Sequence, residues 1–179
     1  MKTIKNILLM LAAAAALNGC ENYSETEIEY SPIFPLSGEW RIRVTDADVD
    51  TLVTKTMYTF ATYNTADNVA TQMWIRTTSS MAGGVGALGA VRGKVSCDVA
   101  GLSFSGADVE NLAGTAALAN TSFSISEGKV TRDALTMPSQ AKADKISFKL
   151  TSMHKPGKTY LLEGYRRTMW PEDETVLNF

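Results

Sequence analysis

Metal-ligating and redox side chains are scarce in this sequence. Its 179 residues include two cysteines, Cys20 and Cys97, and one histidine, His154. So small a set of thiolates and imidazoles makes a structural zinc site implausible. Basic charge is not in excess either, with 17 Lys and Arg against 19 Asp and Glu. Without a basic patch, nucleic-acid binding is not expected. No apolar run reaches the roughly 20 residues that a spanning helix needs. The longest, Ile7 to Leu17, has 11. At 45% hydrophobic and 20% charged, the remainder has the composition of one ordinary globular domain.

The first twenty residues hold no acidic group. Lys2 and Lys5 precede the apolar run, and Leu17-Asn18-Gly19-Cys20 ends it. A basic start, a core of this length and small residues before a cleavage point mark a secretory signal. The ending resembles the bacterial lipobox. That resemblance implies a thioether-linked diacylglycerol on Cys20, cleavage before it and acylation of the new amine. One acyl chain holds a protein only marginally, at ~0.8 kcal/mol per buried methylene, and several hold it firmly. The mature chain would then carry 15 basic and 19 acidic side chains. Cys97 would have no partner for a disulfide and reads as a small core residue.

The sequence divides into a signal peptide over 1–19, a lipidated cysteine and flexible tether over 20–36, and a domain over 37–179. The tether carries Glu21, Glu25, Glu27 and Glu29, then Pro32 and Pro35. Extended, it reaches ~50 Å. Acidic residues just after the cysteine resemble surface-export signals, although a plain soluble linker explains them too. The expected location is the cell envelope, at the outer membrane.

From Ser37 onward the pattern has period two. Trp40, Ile42 and Val44 alternate with Glu39, Arg41 and Arg43. Ile146, Phe148 and Leu150 alternate with Lys145, Ser147 and Lys149, and Val95, Cys97 and Val99 with Lys94, Ser96 and Asp98. Such alternation marks strands with one wet face and one dry face. Turn signals fall at 46–50, 64–68, 100–101, 127–128 and 154–158. Eight or nine strands in this length predict an all-β, antiparallel, mostly up-and-down barrel of about eight strands. Asp108 to Asn120 breaks the pattern and reads as a short helix or a loop over one barrel end.

Several motifs promise chemistry that their context denies. Gly84 to Gly89 spells G-x-G-x-x-G, but a β-alternating run follows where a dinucleotide fold needs a helix. Asp46, Asp48 and Asp50 begin like a calcium loop, yet Thr51 and Met57 stand where glycine and glutamate belong. Gly101 to Ser105 lacks the last glycine of a nucleophile elbow, and a triad with Ser103 would have to use His154. No catalytic residue, metal or cofactor is assigned.

The most informative pairing joins the chain's two ends. Gly38-Glu39-Trp40 opens the first strand, and Gly164-Tyr165-Arg166-Arg167 closes the last. In a closed barrel these strands are neighbours, so Arg166 or Arg167 can lie over the Trp40 indole and seal the barrel, with Gly38 beside them. This resembles the calycin signature of lipocalins. The ordered set Ser37 to Trp40, Tyr63 to Ala66, Met73 to Ile75, Leu102 to Ser105, Gly128 to Val130, Asp144 to Ile146 and Gly164 to Thr168, then Glu172-Asp173, resembles the Bacteroidetes family of lipid-binding putative hydrolases. Met169-Trp170 departs from it. The resemblance implies a lipocalin-like barrel and a lipid ligand, and its hydrolase half carries no residue over.

The leading expectation is therefore a monomeric, membrane-anchored barrel that binds a lipid or other small apolar ligand. Its candidate lining residues are Trp40, Phe60, Trp74, Phe104, Phe123, Phe148 and Tyr160. Taken residue by residue, plain core packing explains each of these more simply than ligand contact does. The alternatives are a hydrolase of lipid-like esters and an adhesion module for glycan or protein.

Overall fold

Alternating apolar residues form strands here because only a pleated chain puts every second side chain on one face. In the computed structural model, residues 27–53, 55–77, 89–113, 121–152 and 156–179 are described. The chain divides into residues 1–30 and 31–179. The second unit holds β1 (Gly38–Asp46), β2 (Thr51–Leu52), β3 (Tyr58–Asn64), β4 (Gln72–Thr77), β5 (Arg92–Asp98), β6 (Ser103–Glu110), β7 (Ser122–Thr136), β8 (Lys142–Ser152) and β9 (Thr159–Arg166). Each strand pairs antiparallel with its sequence neighbour, and β1 pairs with β9 over Trp40↔Arg166 to Asp46↔Tyr160. The result is the expected closed, up-and-down barrel of eight strands. The short β2 adds to the end of β1 on the side that β3 occupies further down.

Three sequence expectations need correction. Glu127-Gly128 is not a turn between strands but a bulge inside the 15-residue β7. Glu127 takes φ 55° there, and the extra residue bends the strand. Asp108 to Glu110 begin no helix or loop, for they complete β6. Residues 114–120 of that segment lie outside the described residues. Finally, 31–36 are not a free tether. Phe34–Leu36 form a 3-10 turn, and Ile33 and Leu36 are buried in the barrel core. Two apolar side chains inserted into a barrel end contribute ~1.5–3 kcal/mol each.

The outer wall is covered over part of its surface by the C-terminal segment. After a second 3-10 turn at Pro171–Asp173, residues 174–179 pass over β1, β8 and β9. Arg41 donates to the Glu174 carbonyl at 3.1 Å and Arg43 to the Leu177 carbonyl at 2.9 Å. The Arg43 guanidinium lies 4.6 Å from the Phe179 ring centre. Tyr165 points outward yet is fully buried under this strap, with Met57, Met137 and Ala143. Its hydroxyl donates to the Asp173 carbonyl.

Glu163 anchors the same region through Arg43 at 3.0 Å and Lys145 at 3.1 Å. Burial alone would raise its pKa, but the hydrogen bonds and charge of both cations outweigh burial and hold it below the usual value. A carboxylate with a depressed folded pKa stabilises the fold above its unfolded value, about 4.3, and stops doing so as pH falls through the folded one. Urea midpoints should therefore drop between neutral pH and strongly acidic pH, and Glu163→Gln should flatten part of that drop. Leu36→Ala should cost about 2–5 kcal/mol in the same assay. A neutral result for Leu36→Ala would return 31–36 to the tether.

Candidate functional site

The barrel has two ends of different character. At one, the first turn and the start of β1 meet the end of β9. Arg166, and not Arg167, lies over Trp40, with its guanidinium carbon 4.6 Å from the ring centre. The same guanidinium donates from Nε to Asp144 Oδ2 at 3.1 Å and from Nη2 to the Pro35 carbonyl at 3.0 Å. Nη1 donates to the Ser37 carbonyl. A Cβ added at Gly38 would stand 2.7 Å from that nitrogen, so glycine is what lets the arginine approach. Arg167 points elsewhere, to Glu39 at 2.6 Å and Glu174 at 2.8 Å. Below the ring, Trp40 Nε1 donates to Thr62 Oγ1 at 2.9 Å, which donates to the Leu36 carbonyl at 2.6 Å. The indole, the Thr62 hydroxyl and the guanidinium are thus each tied to the backbone or to a neighbouring side chain.

Burial lowers the Arg166 pKa, and the Asp144 charge opposes that shift. The carboxylate is the counter-ion that makes a partly buried guanidinium tolerable. Arg132 reaches the same carboxylate at 3.4 Å.

Toward the middle of the barrel, Phe60, Phe104 and Phe148 meet. Ring centres of Phe60 and Phe148 lie 4.9 Å apart, and those of Phe104 and Phe148 5.5 Å apart. Trp40, Ile42, Phe60, Ile75, Phe148 and Leu162 are 0% exposed, so no water-sized space, internal or external, borders them. This part of the interior is filled by its own side chains. Trp74 does not join the other predicted lining residues. Met73 and Ile75 face inward, so Trp74 between them faces outward, near-parallel to Tyr63 with ring centres 6.3 Å apart.

At the other end, Phe123 and Tyr160 are 1% and 4% exposed and sit with Val44, Tyr58 and Val91. Phe123 also borders a cleft of about 230 Å3 with Ser122, Ser124, Ser152, Pro156 and Gly157. The chain leaving β6 is clamped here by Asn111, which sequence reading missed. Its Oδ1 accepts from the Arg92 and Ala113 amides, both at 3.1 Å, and its Nδ2 donates to the Ala90 carbonyl at 3.0 Å. No local pattern marks such a residue; its partners are 19 to 21 positions away for two of the three bonds.

Among the described residues, Ser103 has no histidine beside it. Ser103 opens β6 and shares an outer cleft with Asp98 and Glu127. His154 lies outside the described residues, as do Cys20 and residues 84–88 of the Gly-rich loop. Asp46 and Asp48, the start of the calcium-like loop, face Lys158 at 3.0 and 3.5 Å. Cys97 is half-buried, and burial with Asp98 beside it raises the thiol pKa. That is the opposite of what a reactive thiol needs.

The family described as lipid-binding putative hydrolase matches residues 25–171. The chain belongs to this family. No curated protein matches the chain. A lipid-binding family and a closed β-barrel are compatible with each other, since a barrel can take an apolar ligand through an open end.

The sealed end predicts a definite energetic order. Asp144→Asn should cost about 1–3 kcal/mol, less than a fully buried pair because Arg166 keeps some exposure. Lys149→Ala, which removes an exposed pair with Glu127, should leave stability unchanged. Equal effects in denaturant titrations would contradict the role given to Asp144.

Proposed function

We propose that this protein is an envelope lipoprotein, anchored through acyl chains on Cys20, whose barrel binds a lipid or similar amphiphile at the end opposite the Trp40–Arg166 seal. The observation that carries the ligand half is Phe123. It belongs to the apolar core and also borders the serine-lined cleft, so one side chain joins a dry interior to a polar rim. An amphiphile needs such a junction, with hydroxyl groups for its head and aromatic surface for its chain. The cleft is smaller than the roughly 300–1,000 Å3 of a whole-ligand pocket. The reading is therefore partial burial of a lipid rather than its complete enclosure. The family's description as lipid-binding supports the ligand class, and its putative-hydrolase half names no residue that would carry an ester-cleaving step.

The anchoring half rests on the first twenty residues. Their basic start, apolar core and terminal cysteine support an envelope location, with the outer membrane as the proposed destination. Within the barrel unit, Ile33 and Leu36 are inserted at the sealed end, opposite the proposed ligand cleft. The barrel acts as a monomer in this reading.

Two measurements test the halves separately. Labelled palmitate should enter the wild-type protein in its host and not Cys20→Ser, which should leave the membrane fraction. Equal labelling of both would remove the anchor. Native mass spectrometry of host-purified protein should show an adduct that extracts into organic solvent, and Ser122→Trp at the cleft rim should reduce its occupancy about tenfold. Consistent absence of an adduct, or occupancy indifferent to Ser122→Trp, would remove the ligand.

A further inference from the structure

The outer wall at β4 and β5 carries an arrangement that barrel stability does not explain. Arg76 on β4 and Arg92 on β5 are direct cross-strand partners, and both are exposed. Lys94 stands diagonal to Arg76 and directly opposite Trp74. Like charges set opposite one another on a sheet are destabilising. Among the described residues, none of these three cations has an acidic partner, whereas Arg41, Arg43, Arg166 and Arg167 all do. The chain as a whole has a net charge of −2, so solubility does not require a local cluster of positive charge.

The cations surround a shaped surface. Trp74 and Tyr63 present near-parallel rings, with 15° between their planes. The Lys94 ammonium lies 5.5 Å from the Trp74 ring centre. Next to them is a cleft of about 410 Å3 bordered by Trp74, Lys94, Ala107, Val109, Glu110 and Leu112. Its far wall exists because β6 bulges: pairing with β7 slips between Gly106 and Val109, and Asp108 takes φ 46°. Bulges re-aim a strand where a regular ladder would run flat.

We propose that this cleft binds an acidic carbohydrate, a pyranose bearing a carboxylate, on the outside of the barrel. A pyranose ring has one face of C–H bonds whose partial positive charge suits the negative face of an indole. Its rim of hydroxyl groups needs acceptors and donors, which Glu110 and Lys94 supply. Its carboxylate matches the unpaired guanidinium of Arg92 or Arg76, which can bind it through two parallel N–H donors. The one carboxylate in the cleft, Glu110, disfavours a continuous phosphate backbone, so a nucleic acid fits less well. This site is separate from the proposed lipid cleft, and either reading stands without the other.

The test uses the intact domain with trigalacturonate as probe, and cellotriose, laurate and an oligothymidylate as comparisons, read by calorimetry and tryptophan fluorescence. Trigalacturonate should bind saturably, more weakly as salt rises, and more tightly than cellotriose. Trp74→Ala and Arg92→Ala should each weaken it about tenfold or more. Thr151→Trp, which lines the lipid cleft from β8, should not. Both substituted side chains are outside the core, and circular dichroism and the melting temperature should match wild type. No saturable binding of trigalacturonate would overturn the proposal. So would binding indifferent to Trp74→Ala, or oligothymidylate or laurate binding at this face in its place.

Discussion

A sheet rolled into a barrel has no free edge, but it has two ends, and an end must be closed by something that satisfies backbone groups as well as side chains. Arg166 does this for one end. Its guanidinium spans β9, the indole of β1, the carboxylate of β8 and two carbonyls of the segment before β1. Only a planar group with five donors and an apolar face can meet all of these together. Removing it from water is unfavourable, and Asp144 is what offsets the cost. Gly38 and Gly164 follow from the same constraint. A Cβ at the first would meet the guanidinium and at the second the Arg41 carbonyl, 2.0 Å away.

With that end sealed and the phenylalanines touching behind it, the middle of the barrel is structure rather than site. The two proposed sites lie away from it, at the opposite end, where Phe123 meets a cleft, and on the outer wall. The wall itself is not uniform. Over β1, β8 and β9 the C-terminal strap covers it and its arginines are paired. Over β4 and β5 the arginines are exposed and, among the described residues, have no acidic partner. The contrast between those two faces of one barrel is what makes the second informative.

Period two made the strands legible, and the pairing of Gly38-x-Trp40 with a late arginine made barrel closure legible. Parity could have separated the two arginines and placed Trp74. With Met73 and Ile75 inward, Trp74 must face out, and treating it as a lining residue ignored its own neighbours. Glu127-Gly128 misled because a bulge and a turn use the same residues: both need a backbone that ordinary strand residues avoid. The plug was hidden for a different reason. Ile33 and Leu36 are apolar but sit among two prolines and follow four glutamates, so composition over the window described a linker while two side chains described a core. Asn111 carried no signal, because its role is defined by segments distant in sequence.

The two proposed sites also differ in what they demand of the sequence. An inward residue is constrained by its neighbours, and changing its volume by even a methylene is felt throughout a packed core. An outward residue on β4 or β5 meets only its cross-strand partners and solvent. Trp74, Arg76, Arg92 and Lys94 could all be exchanged for small polar residues without touching Met73, Ile75 or Val95 on the other face. A surface under so little structural constraint is free to hold any residues, and solubility alone would favour charges of mixed sign. It holds near-parallel rings and three cations that no acid pairs among the described residues. Since that choice lowers stability and is not needed by the core, its physical justification lies in something anionic that the bare barrel does not supply.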